Sequence, residues 1–260
     1  MPDYSEILYD FRDGIATVTL NRPAAANSLN ERLSAEMLDA IIRAEENDAV
    51  RAMIVTGAGR RFFCAGADLK GFYTRTGELE SRVSLFHNAL SHIVRAPFPV
   101  IAAVNGTAAG GGMGLACGCD LVLAAESARF VMAYTRIGLS PDGTTTYFLP
   151  RRIGVGRALE LAYTNRTLNA REALEWGIVN RVVPDAELVT AAGALAAELA
   201  QGPTRAYAAA KRPMHSGAVE SLETQIENEL RSVYELARTD DAHEAIKAFT
   251  EKRQPKFHGR

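Results

Sequence analysis

Apolar and polar residues alternate over Ile15-Ala-Thr-Val-Thr-Leu20, the two-residue period of a strand with one buried face. Residues 5–20 read as two strands turning at Arg12-Asp13-Gly14, and Arg22-Pro23 ends the second. Beyond Ser28-Leu-Asn-Glu31, which has the spacing of a capping box, Leu33, Met37, Ile41 and Ala44 recur at helical period. Ala52-Met-Ile-Val-Thr56 is a continuous apolar run closed by Gly57-Ala-Gly59 and predicts a buried strand. Leu79, Val83, Phe86, Leu90 and Ile93 then fall at alternating spacings of four and three, an amphipathic helix over residues 78–95. A strand at Leu121–Ala125 follows. Helices dominate from 154 to 198 around a short strand near Val179–Val183, and residues 203–254 read as two or three more helices.

Between these elements lies Pro99-Val-Ile-Ala-Ala-Val-Asn-Gly-Thr-Ala-Ala-Gly-Gly-Gly-Met-Gly114. The apolar run breaks at Asn105-Gly106, and Gly110 to Gly112 open an apolar segment that ends at Asp120. A buried strand entering a helix through glycines presents unobstructed backbone N–H groups at the positive end of the helix dipole. No Lys-Ser/Thr follows, as a P-loop requires, and the spacing is not that of a dinucleotide fingerprint. A hole for a developing oxyanion is the third option. Tight turns alone are the plainer one.

The strand–helix alternation predicts an α/β core of about 200 residues carrying a helical C-terminal extension. We divide the chain at 1–200 and 201–260. A formal net charge of −2, with both signs spread along the chain, argues against a nucleic-acid-binding face. Cys64, Cys117 and Cys119 lie in apolar surroundings with no second pair or histidine cluster, and read as reduced core thiols, not a metal site. Glycines, Asn105 and Asp120 interrupt the apolar stretch 100–125, so no membrane span is expected. The N-terminus lacks the charged and apolar regions of a signal peptide, and a cytoplasmic enzyme is expected.

Several segments, in order along nearly the whole chain, resemble the crotonase (enoyl-CoA hydratase/isomerase) superfamily. They are Arg22-Pro-Ala-Ala-Ala-Asn-Ser-Leu29, Phe63-Cys-Ala-Gly-Ala-Asp-Leu69, Val104–Gly112, Ala173-Leu-Glu-Trp-Gly-Ile-Val-Asn-Arg-Val-Val183 and Ala248-Phe-Thr-Glu-Lys-Arg253. The resemblance implies a spiral of β-β-α units with a C-terminal helical trimerisation region, and a homotrimer or a hexamer made of two trimers. It implies acyl-CoA thioester substrates, with coenzyme A part of the substrate and no separate cofactor or metal. The amides of Ala67 and Gly111 would grip the thioester oxygen. CoA would lie along Ala24, Ala25, Ala26, Ala65, Asp68 and Leu69, although many members carry a basic residue where this chain has Ala24. Phe249 and Lys252 would reach the adenosine diphosphate held by a neighbouring subunit; an ordinary surface helix is the alternative.

The acids decide the chemistry. A hydratase of this family uses two glutamates, at the positions of Gly114 and Tyr134 here, and neither residue moves a proton as a carboxylate does near neutral pH. A different carboxylate stands in Ile137-Gly-Leu-Ser-Pro-Asp-Gly143, where the family's double-bond isomerases carry their single acid. Asp142 would take a proton from the carbon alpha to the thioester and return it two carbons along. Apolar walls around it are expected to raise its pKa. An Asp in such a turn also serves often as a helix N-cap. His87, on the flank of helix 78–95, reads as an ordinary helix residue or as a catalytic partner. The family's 4-chlorobenzoyl-CoA dehalogenase has a similar histidine and an aspartate nucleophile at the place of Asp142. Segment 130–138 resembles that enzyme, except at Tyr134, and resembles at least as closely the isomerases of phenylacetyl-CoA ring epoxides. Phe72, Gly114 and Tyr134 are expected in the acyl pocket, with residues 69–82 shaping it as a mobile loop. Enoyl isomerisation is the leading expectation. Hydration, dehalogenation and non-catalytic acyl-CoA or RNA binding are its alternatives.

Overall fold

The computed structural model describes residues 3–70 and 76–259. Strand β1 (Ile7–Arg12) pairs antiparallel with β2 (Ile15–Leu20) across the Asp13-Gly14 turn. β2 then runs parallel to β3 (Ala52–Gly57), followed in order by β5 (Val100–Val104), β7 (Leu121–Ala125) and β10 (Arg181–Val183), each parallel to the one before it, in one six-stranded sheet. A second sheet holds β4 (Phe62–Cys64), β6 (Thr107–Ala109), β8 (Arg129–Val131) and β9 (Leu168–Asn169).

Three turns of the chain repeat one plan. A strand of the large sheet leads to a strand of the small sheet and then to a helix: β3, β4, α2 (Thr76–Arg95); β5, β6, α3 (Gly111–Gly118); β7, β8, α4 (Thr145–Ile153). This is the expected spiral of β-β-α units. The short strands of the small sheet escaped the sequence reading, because two or three residues carry no period and their partners lie 22 to 45 residues away.

The centre of the large sheet is buried on both faces, which is why β3, β5 and β7 read as continuous apolar runs. Met53, Val55, Val100, Ala102, Val122 and Ala124 face the main core. The alternate residues Ile54, Ile101, Ala103 and Leu123 face helix α7 (Leu188–Ala200) on the other side. The three cysteines are buried in the main core as free thiols, and burial pushes Cys64 up to about 12, Cys117 to about 11 and Cys119 to about 12.

Helix α1 (Glu31–Glu45) starts later than the capping-box spacing suggests. Asn30 is its N-cap, accepting the Leu33 amide at 2.8 Å. Ser28 and Leu29 are still extended, since Leu29 pairs in a parallel bridge with Ala67. After α5 (Val155–Thr164) and α6 (Ala170–Trp176), three C-terminal helices follow α7: α8 (Thr204–Ser216), α9 (Leu222–Leu236) and α10 (Asp240–Thr250). Lys211 of α8 is tied to the core, its Nζ 2.8 Å from Asp120 Oδ2 and donating to the Ile93 carbonyl at 3.0 Å. Helix α9 buries no residue: Leu222, Ile226, Leu230 and Val233 stand in one exposed apolar row. No helix among the described residues is long and apolar enough to cross a membrane.

Candidate active site

The loop after β4 is stitched to the segment before α1. Leu29 donates to the Gly66 carbonyl at 2.8 Å, Asp68 donates to the Leu29 carbonyl at 2.9 Å, and Ala65 donates to Ala26 at 3.1 Å. Successive amides of an extended chain point to opposite sides, so the Ala67 N–H faces away from this ladder. Gly111 opens α3, where the first amides have no partner within the helix. Among the described residues, neither the Ala67 nor the Gly111 amide donates a hydrogen bond within the protein. Gly66 lets the two loops meet: a Cβ there would stand 2.8 Å from the Ala109 carbonyl oxygen and 3.1 Å from the Gly111 nitrogen.

Ala67, Gly111, Tyr134 and Asp142 line both parts of one cleft, of about 360 and 50 Å³. Asp142 is the one carboxylate on its wall among the described residues. The rest of the lining is largely apolar, including Leu69, Val83, Ile137 and Leu139. A larger cavity of about 750 Å³ lies on the other flank of α2, between α4 and α8. It reaches neither of the two free amides nor any carboxylate, so size does not mark the site here.

Asp142 does not cap α4. Thr144 holds the N-cap position without a side-chain bond, and Asp142 contributes only its backbone carbonyl, which accepts the Thr145 amide at 3.0 Å. The carboxylate is left for the cleft, with its side chain 39% exposed, so the apolar enclosure expected from sequence is partial. His87 approaches from α2, its Nε2 3.4 Å from Asp142 Oδ2 and accepting the Gly143 amide at 3.2 Å. The Tyr134 hydroxyl donates to the Asp142 carbonyl at 3.3 Å. Burial first, and then the charge of Asp142, push the phenol's pKa up and keep it protonated.

The residues expected at coenzyme A divide. Ala65 and Leu69 line the cleft, while Ala24 is exposed on the short turn Pro23–Ala25, beside Ala25 and Ala26. That turn is pinned by buried Asn27, which donates to the carbonyls of Ala58 (3.0 Å) and Phe62 (2.9 Å) and accepts the Arg22 amide (3.0 Å). Asp68 is a structural link: its Oδ2 is 3.0 Å from Arg22 Nη2. Burial raises its pKa, but the Lys70 amide and the Arg22 guanidinium outweigh that and hold it below the usual carboxylate range. Phe249, 87% exposed, and Lys252 lie at the C-terminal end and do not line this chain's cleft. Gly114 does not line it either; it lies under Gly143, and Phe72 falls outside the described residues.

Arg82 was missed by sequence reasoning. It lines the cleft and donates to the Asp68 carbonyl at 2.9 Å. Its only sequence signal is a place beside Val83 and Phe86 on the cleft-facing side of α2.

The sequence profile of the enoyl-CoA hydratase/isomerase family matches residues 10–260. A probable enoyl-CoA hydratase of Rhodobacter capsulatus is 41% identical, with 99% of each chain covered. The 1,2-epoxyphenylacetyl-CoA isomerase of Escherichia coli is 42% identical, with 98% of each covered. The crystal structure of an enoyl-CoA hydratase from Bacillus anthracis superposes with a TM-score of 0.94 at 37% identity, over 98% of this chain and 100% of that one.

Proposed function

Since the chain belongs to the enoyl-CoA hydratase/isomerase (crotonase) superfamily, we propose that it shifts the double bond of an enoyl-CoA, or isomerises a related ring-derived CoA thioester, with Asp142 as the single acid and base. The observation that carries this reading is that, among the described residues, Asp142 is the one carboxylate on a cleft wall that also holds the Ala67 and Gly111 amides, neither of which donates within the protein. Glycine and tyrosine stand at 114 and 134, so the paired acids that hydration calls for are missing.

In this reading the thioester oxygen accepts hydrogen bonds from Ala67 N–H and Gly111 N–H. Asp142 removes a proton from the carbon alpha to the carbonyl, and the electron pair moves into a dienolate whose negative oxygen the two amides hold. One such donor is typically worth about 3 kcal/mol of barrier. The carboxylic acid then returns the proton two carbons along, which restores the thioester and leaves the double bond conjugated with it. No water is consumed. Tyr134, kept protonated, fixes the backbone of the acid through its bond to the Asp142 carbonyl.

CoA would run along Ala24–Ala26, Ala65, Asp68 and Leu69, and Phe249 and Lys252 would serve the cleft of a neighbouring copy. The exposed apolar row of α9 supports assembly into a trimer through the C-terminal helices.

The proximity of His87 to Asp142 favours one second reading. A carboxylate beside an imidazole also suits attack of the carboxylate on an activated ring carbon followed by hydrolysis, the chemistry of the family's dehalogenases. Both readings use Asp142, so the substrate separates them: wild type should isomerise a trans-3-enoyl-CoA and Asp142→Asn should not, while halide release from 4-chlorobenzoyl-CoA with no enoyl isomerisation, or full isomerisation by the variant, would refute the proposal.

A further inference from the structure

Gly114 is buried in the first turn of α3, with its amide donating to the Gly110 carbonyl at 3.1 Å. A Cβ at this position would stand 2.1 Å from the Gly143 carbonyl oxygen, 3.1 Å from the Gly143 carbonyl carbon and 2.7 Å from Thr145 Oγ1. Two of those atoms are backbone and cannot rotate away. From the opposite side, a Cβ on Gly143 (φ +56°) would come within 2.7 Å of Phe86 Cε1. The segment Asp142-Gly143-Thr144-Thr145 is thus clamped between the bare backbone of α3 and the Phe86 ring of α2. Thr144 is held at φ +61°, a conformation a β-branched residue avoids, and the buried hydroxyls of Thr144 and Thr145 have no partner among the described residues.

We propose that Gly114 determines which acid this site holds: a side chain at 114 and Asp142 in its present place exclude each other. The inference rests on Asp142 being the acid of the reaction. The position is the one where the family's hydratases carry a glutamate, so that glutamate cannot simply be added here to a site that keeps its aspartate. With only hydrogens on Gly114, the Asp142–Thr145 segment settles directly on α3. That seat brings the Gly143 amide to His87, the Asp142 carbonyl to Tyr134 and the carboxylate to the cleft. Gly114 is a positioning residue that acts through the loop above it.

The test compares Gly114→Ala with Gly118→Ala, one turn further along α3, whose Cβ would meet only ordinary contacts at 3.6 and 3.7 Å. Two quantities are read: turnover of a trans-3-enoyl-CoA, and hydrogen exchange of the Gly143 and Thr145 amides in the free enzyme. Gly114→Ala should lose at least about 100-fold in kcat and exchange those amides faster, while its Kd for free coenzyme A changes less than about threefold. Gly118→Ala should stay within about twofold on every reading. Turnover by Gly114→Ala within about threefold of wild type would overturn the inference, whatever the exchange. If Gly114→Ala does not accumulate as folded protein, Gly143→Ala presses on the same segment from the Phe86 side. Its loss of turnover supports the clamp, and its retention within about threefold overturns it. The exchange reading keeps this separate from the functional proposal: fast exchange in Gly114→Ala beside a fully active Asp142→Asn would remove Asp142 as the acid and leave the packing intact.

Discussion

His87 Nε2 lies 3.4 Å from Asp142 Oδ2, yet the same nitrogen accepts the Gly143 amide at 3.2 Å. As the acceptor of that amide, the His87 ring ties down the loop that carries the acid. Glutamine reproduces that acceptor through its side-chain oxygen, whereas alanine removes it. His87→Gln should therefore keep kcat within about threefold of wild type. His87→Ala should lose about tenfold, the equivalent of one hydrogen bond of about 1.4 kcal/mol. Equal and large losses in both variants would instead mark His87 as a proton-transfer group.

Asp68 ties the loop after β4 to Arg22. Its pKa lies below the ordinary carboxylate range in the folded chain, so its contribution is present above about pH 4 and disappears as pH falls through the folded value. Asp68→Asn should cost about 2 kcal/mol of unfolding free energy at pH 7. Denaturant titrations at pH 7 and pH 3 should show the gap between wild type and variant closing at the lower pH. A gap that stays constant would show that the Arg22–Asp68 pair contributes no charge-dependent stability.

The cysteines should be inert in the folded protein. All three are buried with thiols pushed to about 11 or 12, and the thiolate is the reactive form. A thiol reagent at pH 8 should titrate none of them in native protein and three after denaturation. Fast labelling of the native chain would contradict the packing around Cys64 and α3.

The apolar row of α9 should hold copies of the chain together. Ile226→Glu combined with Leu230→Glu puts two charges into that row, 55% and 49% exposed in the single chain. Sedimentation should show a trimer or larger species for wild type and smaller species for the double variant. An unchanged sedimentation coefficient would place the assembly surface elsewhere.

Much of the large sheet was legible, because Ile15–Leu20 alternates and Ala52–Thr56 and Leu121–Ala125 are unbroken apolar runs between turn residues. The helix carrying Val83, Phe86 and Leu90 was legible from its period. The small sheet was not, since Phe62–Cys64 and Thr107–Ala109 become strands only through each other. The cap of α1 was misread at Ser28 because the parallel bridge of Leu29 to Ala67 is invisible in local spacing. The site divided similarly. Asp142 stands out as an acid between proline and glycine, but amides carry no letter of their own, and Ala67 and Gly111 were found only through family resemblance. The position of Gly114 under Gly143 could not be read at all, since it depends on two segments 29 residues apart touching backbone to backbone.

The most direct test of one acid moving one proton uses a trans-3-enoyl-CoA deuterated at the carbon alpha to the thioester, followed by mass spectrometry in ordinary water. The expected product has its double bond moved into conjugation, no added water and deuterium detectable two carbons along, with all turnover lost in Asp142→Asn. A product heavier by one water, or undiminished turnover in Asp142→Asn, would contradict the single-acid mechanism.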